Sequence, residues 1–106
     1  MHGIFLKLYV SQTAKHGGKL LYEWLLEEAR AIGVPGGSAF RSVAGYGRHG
    51  RLHEEHFFEL AGDLPMTVEF FADETLIGSL LERLRVEKIS LFYIKSPVEG
   101  GTTASF

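Results

Sequence analysis

Seven consecutive residues near the start, Ile4-Phe5-Leu6-Lys7-Leu8-Tyr9-Val10, constrain the fold more than any other stretch. Side chains alternate across a β-strand, so Ile4, Leu6, Leu8 and Val10 share one face and Phe5, Lys7 and Tyr9 share the other. The second face is not fully polar. Such a strand belongs in a sheet covered on one face and closed on the other by a helix or a partner subunit. The chain has 106 residues, which suits one compact domain. Eight Phe, four Tyr and one Trp supply a core. A chain this short buries a modest fraction of its surface and gains from oligomerising.

The elements after this strand follow from periodicity and breakers. Residues 11–18 read as a loop by composition. The spacing of Leu21, Leu25, Ala29 and Ile32, flanked by Tyr22 and Trp24, predicts a helix over 19–32. Gly33 ends it and Pro35 prevents its resumption. Residues 38–44 form a second strand, and extended structure resumes over 57–60 before a bend at Gly62-Asp63-Leu64-Pro65. Met66-Thr67-Val68-Glu69-Phe70-Phe71 alternates and is rich in β-formers. Asp73 is placed to N-cap a helix over 74–85, whose apolar stripe is Leu76, Ile77, Leu80, Leu81 and Leu84. The last strand is expected over 88–95 and a loose tail over 96–106. The order is β-α-β-β-α-β. This predicts an α+β, ferredoxin-like domain over residues 1–95, with a four-stranded antiparallel sheet and both helices on one face. The other face, carrying Phe5 and Tyr9, marks an interface.

Charge and composition exclude several classes. Formal net charge is -2, so no global positive field exists to hold nucleic acid and any anion site is local. The absence of cysteine removes disulfides, thiolate metal sites and thiol catalysis. No apolar run approaches the ~20 residues needed to span a bilayer. The first residues lack the pattern of a signal peptide, and Gly3 is not at the position myristoylation requires, so a cytoplasmic protein is expected.

The chemistry concentrates in Gly45-Tyr46-Gly47-Arg48-His49-Gly50-Arg51-Leu52-His53. Glycine lets backbone approach a ligand, arginine offers a planar fork of donors, and histidine donates, accepts or binds metal. Arg41, Arg48 and Arg51 with the amides of Gly45 and Gly47 fit an anion pocket. They fit equally a set of surface pairs with Glu54, Glu55 or Glu59. Lys15, His16 and Lys19 surround Gly17-Gly18 just before a helix, where amides favour anions, although the spacing is not that of a phosphate-binding Walker loop. Tyr46 is placed either to stack on a ligand or to pack on a neighbouring subunit. His49, His53 and His56 would share one helical face and hold zinc with Glu59 or water, or else are ordinary loop histidines. Ser38 and Ser42 lack the Gly-x-Ser-x-Gly elbow of a hydrolase, and Trp24 reads as core or interface.

Four stretches together resemble the PII-like signalling proteins of domain-of-unknown-function family 190. They are Leu6-Lys7-Leu8-Tyr9-Val10 running into Lys15-His16-Gly17-Gly18-Lys19-Leu20-Leu21-Tyr22; Gly33-Val34-Pro35-Gly36-Gly37-Ser38-Ala39-Phe40-Arg41; Val43-Ala44 and the glycine-rich segment; and Leu60-Ala61-Gly62-Asp63-Leu64-Pro65-Met66-Thr67-Val68-Glu69. The resemblance implies a non-enzymatic, trimeric, cytoplasmic sensor that binds an adenine nucleotide or other anionic metabolite between subunits. It implies a T-loop, matching about residues 45–56, that reports ligand state to an enzyme or membrane transporter. On that reading Lys15, His16, Lys19, Arg41, Gly45, Tyr46, Gly47, Arg48, His49, Arg51 and His53 contact the ligand. One departure stands out. The glycine- and basic-rich loop that precedes the last strand in PII proteins is replaced by Leu84-Arg85-Val86-Glu87-Lys88.

Overall fold

The computed structural model describes residues 1–45 and 65–104. The main sheet contains β1 (His2–Ser11), β4 (Gly37–Arg41), β5 (Pro65–Ala72) and β6 (Tyr93–Glu99), in the order β4-β5-β1-β6, all antiparallel. A small hairpin of β2 (Lys15–His16) and β3 (Lys19–Leu20) follows β1. The helices are α1 (Leu21–Ala31) and α2 (Glu74–Val86). The β-α-β-β-α-β order therefore holds, with the hairpin added.

Alternation builds the core. Leu6, Leu8 and Val10 of β1 lie beside Val68, Phe70 and Ala72 of β5, and all are buried. Leu21, Leu25 and Ala29 of α1 and Ile77, Leu80 and Leu84 of α2 close over them. Both helices thus cover one sheet face. A Cβ at Gly37 would sit 2.4 Å from Phe70 Cε1, so only glycine lets β4 approach that buried ring. The opposite face carries Phe5, Tyr9, Phe40, Phe71 and Ile94, and Phe40 is 52% exposed.

Both helices stop in the same way. In α1, Val34 N–H donates to Ala29 C=O and Gly33 N–H donates to Arg30 C=O, with Gly33 at φ 105°. In α2, Ile89 N–H donates to Leu84 C=O and Lys88 N–H donates to Arg85 C=O, with Lys88 at φ 60°. These are paired Schellman closures, one with the usual glycine and one with lysine in its place. Asp73 N-caps α2 as expected, its Oδ1 accepting from Leu76 N–H at 2.8 Å.

Several boundaries differ from expectation. The first helix begins at Leu21, because residues 19–20 pair with 15–16 across Gly17 (φ 59°) and Gly18 (φ 84°). Two positive φ values suit a tight type I′ hairpin. The second strand stops at Arg41, since its partner β5 begins at Pro65, which has no N–H to continue the ladder. The last strand runs Tyr93–Glu99 rather than 88–95, because the chain needs residues 87–92 to leave α2 and reach the sheet edge. Residues 96–99, expected in the tail, therefore pair with β1, and Pro97 is tolerated because β6 is an edge strand. The expected strand over 57–60 and the bend at 62–64 lie outside the described residues.

Candidate ligand-binding site

The antiparallel order gathers several segments at one end of the sheet. β1 ends at Ser11 opposite the first residue of β5, β4 ends at Arg41 opposite Met66, and β6 begins at Tyr93 opposite Leu8. α2 also ends near this point, shortly before Tyr93. The chain leaves this end after Gly45 and returns at Pro65.

Arg41 is exposed at the end of β4, and its Nε donates to Gln12 Oε1 at 2.9 Å. Gln12 belongs to the short link between β1 and the hairpin. The partner is a neutral amide, so the arginine is positioned while its charge stays uncompensated by any carboxylate among the described residues. Gly45 is half-buried, and no atom of the described residues lies within 4 Å of the place a Cβ would take. Ser42 N–H donates to Pro65 C=O, which holds the described ends of the intervening segment together.

The hairpin holds Lys15, His16 and Lys19 close in space, on two short strands that lead directly into α1 at Leu21. Lys15 is exposed. His16 and Lys19 already have partners. His16 Nε2 lies 3.0 Å from Glu87 Oε1, and the His16 ring meets Trp24 edge-on at 4.7 Å between centroids. Glu87 also pairs with Arg83, which donates from Nε to Glu28 Oε1 at 2.6 Å. The hairpin is thereby tied to the end of α2 and, through Arg83, to α1. Lys19 Nζ donates to Glu27 Oε1 at 2.6 Å, and that hydrogen bond raises the lysine pKa above its ordinary value.

Arg41 and the hairpin thus share one end of the molecule through Gln12. Tyr46, Gly47, Arg48, His49, Arg51, His53 and His56 lie outside the described residues. Among the described residues no group of three or more His, Asp or Glu is arranged to hold a metal ion. Sequence reasoning missed Gln12, Glu28, Arg83 and Glu87. Glu87 meets His16 across 71 residues of chain, and only its i,i+4 spacing to Arg83 offered a local signal.

The model of the family DUF190, "Uncharacterized ACR", matches residues 3–91. The chain belongs to this family. A UPF0166 protein of Aquifex aeolicus is 34% identical over 80 residues, covering 76% of each chain. Another, from Methanocaldococcus jannaschii, is 29% identical over 79 residues, covering 74% of this chain and 72% of that one. Among solved structures, CPII from Thiomonas intermedia K12 superimposes with a TM-score of 0.63 at 18% identity, over 95% of this chain and 97% of that one. It is described as a nitrogen regulatory PII-like protein bound to ADP, AMP and bicarbonate. A candidate PII-like signalling protein from Thermus thermophilus gives a TM-score of 0.63 at 16% identity, over 92% of this chain and 87% of that one. At these identities the structural likeness establishes the fold. This DUF190 chain is therefore a PII-like protein in architecture, and no described helix is long and apolar enough to cross a membrane.

Proposed function

We propose that this DUF190 chain is the subunit of a cytoplasmic, non-enzymatic regulatory trimer. It senses an adenine nucleotide or another anionic metabolite and signals through the segment between β4 and β5. One observation carries the reading. Arg41 is exposed and held by a neutral amide at the point where the chain enters a segment containing two more arginines, Arg48 and Arg51. A positioned cation without a carboxylate partner among the described residues suits an anion. CPII, described with ADP and AMP bound, has the same fold and makes an adenine nucleotide the first ligand to test.

The apolar open face supports assembly. Phe5, Tyr9, Phe40, Phe71 and Ile94 form a larger aromatic surface than a solvated sheet face needs. Closing three such faces around an axis would place sheet edges of neighbouring subunits side by side, with the Arg41 end of each at a cleft. Lys15 and the backbone at Gly45 and Gly47 join the arginines there. His16, Lys19, Tyr46, His49 and His53 complete the contact set, and His16 and Lys19 would have to exchange their present carboxylate partners for the ligand. A protein partner, either an enzyme or a membrane transporter, would read the loop.

Calorimetry with AMP, ADP, ATP and cyclic nucleotides tests the ligand, and sedimentation tests the assembly. Binding that weakens with added salt and with Arg48→Ala or Arg51→Ala is expected. Failure of every nucleotide at millimolar concentration refutes the nucleotide reading. Zinc binding abolished by His53→Ala would put a metal in its place.

A further inference from the structure

A recess of about 570 Å³ lies on the helix side of the sheet between α2 and β6. Neither the anion site at Arg41 nor the open aromatic face includes it. The two helices together cover β4, β5 and β1, and neither packs extensively on β6. This leaves a recess whose floor and walls are Leu81, Leu84, Ile89, Leu91 and Tyr93. Its size falls within the ~300–1,000 Å³ of small-molecule sites.

The mouth is cationic. Arg85 makes a two-pronged pair with Glu82, which compensates its charge. Lys88 has no carboxylate within ion-pair distance among the described residues. Lys88 also occupies the left-handed position of the Schellman closure, φ 60°, where the equivalent residue of α1 is Gly33. A lysine there is strained by its own Cβ, and glycine would stop the helix equally well. Part of the reason for a cation is local, since it faces the negative end of α2. Arg83 and Arg85 already occupy the last turn and meet that need. The strained position does place an ammonium with no carboxylate partner among the described residues at the rim of an apolar recess.

We infer that the recess between α2 and β6 binds a small organic acid with an apolar body, its carboxylate meeting Lys88 and its hydrocarbon lying against Leu84, Ile89, Leu91 and Tyr93. The recess is open to β6, whereas Arg41 lies on β4 at the far edge of the sheet, three strand spacings away or ~14 Å. Within one subunit the two sites are therefore separate, and this one does not require a nucleotide.

Octanoate is the probe, followed by amide shifts of the isotope-labelled full-length chain. The expected result is saturable shifts centred on Ile89, Ser90, Leu91 and Tyr93. Lys88→Gly and Lys88→Asn both fit the left-handed turn while removing the charge. Each is expected to weaken octanoate binding about three- to tenfold. Lys88→Gly should at the same time raise the melting temperature by about 4 °C or more, because the turn loses its strain. A merely structural lysine would not lower affinity while stability rises. The inference is overturned if octanoate produces no saturable shift at these amides at 10 mM (about the upper limit of a useful affinity). It is overturned equally if octan-1-ol binds as tightly as octanoate, if both Lys88 variants bind like the parent, or if the shifts fall on Phe5 and Phe71 instead.

Discussion

Replacing Phe40 by serine removes an exposed ring from the helix-free face without touching the core. Phe40 sits opposite Thr67 on that face and is 52% exposed. A phenylalanine buries about 150–250 Å² when fully covered, so about 80–130 Å² of this ring awaits a partner. At ~25 cal/mol per Å² that area contributes about 2–3 kcal/mol per subunit if assembly covers it. A trimer contains three copies, giving about 6–9 kcal/mol in the equilibrium between trimer and three monomers. At ~1.4 kcal/mol per factor of ten, the equilibrium constant moves by about four to six powers of ten. That constant scales with the square of concentration, so the midpoint of dissociation moves by about two to three powers. Sedimentation equilibrium over a wide concentration range measures this shift. Circular dichroism of Phe40→Ser should match the parent, because the ring lies outside the buried core of the subunit. A parent chain that is monomeric at micromolar concentration refutes the reasoning. So does a Phe40→Ser trimer that dissociates where the parent does.

Arg41→Ala is expected to weaken nucleotide binding about tenfold to a hundredfold, the equivalent of one charge-assisted hydrogen bond, with the melting temperature unchanged; calorimetry beside a thermal scan decides it. Gly37→Ala puts a Cβ 2.4 Å from the Phe70 ring and 3.2 Å from Leu26 Cδ2, and overpacking at a buried ring should lower stability by ~1–3 kcal/mol in urea titrations. Glu87→Gln removes the pairs with His16 and Arg83, whose side chains are 27% and 40% exposed. Partly exposed pairs contribute ~0.2–1 kcal/mol each, so the global loss should be small while amide exchange quickens across residues 15–20. Unchanged exchange there would mean that the His16–Glu87 contact does not hold the hairpin.

The main elements are legible because each carries its own local signal. Leu6, Leu8 and Val10 alternate with Phe5, Lys7 and Tyr9, and the buried set matches that alternation. Leu21, Leu25 and Ala29, and likewise Ile77, Leu80 and Leu84, lie on single stripes that face the sheet. Asp73 sits where an N-cap must. The last strand is misplaced by sequence reasoning because residues 88–95 have the composition of a strand, whereas its position is fixed by β1. Leu8 pairs with Tyr93 and His2 with Glu99, and a register between segments about ninety residues apart is not written in either one alone. The hairpin escapes for the opposite reason. Gly17-Gly18 is a hairpin signal, but the strands flanking it are two residues each, too short to alternate.

The site shows the same division between local and distant information. Sequence reasoning puts Arg41 inside a strand over 38–44, and the structure ends that strand at Arg41. That it is held by Gln12 depends on how β4 and the end of β1 flank β5, which only the sheet order decides. In the sequence His16 and Lys19 look like free cations around two glycines. Folding brings Glu87 to one and Glu27 to the other, so two apparent anion ligands are partly neutralised by their own chain. Lys88 runs the other way. In the sequence it is one lysine in a charged stretch. In the fold it holds a left-handed turn beside an apolar recess, and that strained geometry separates it from Lys19 far more than its residue type does. An anion approaching this subunit therefore finds a cation without a carboxylate partner among the described residues at both Arg41 and Lys88, on opposite edges of the sheet. The affinity loss produced by each substitution will show which edge a given anion uses.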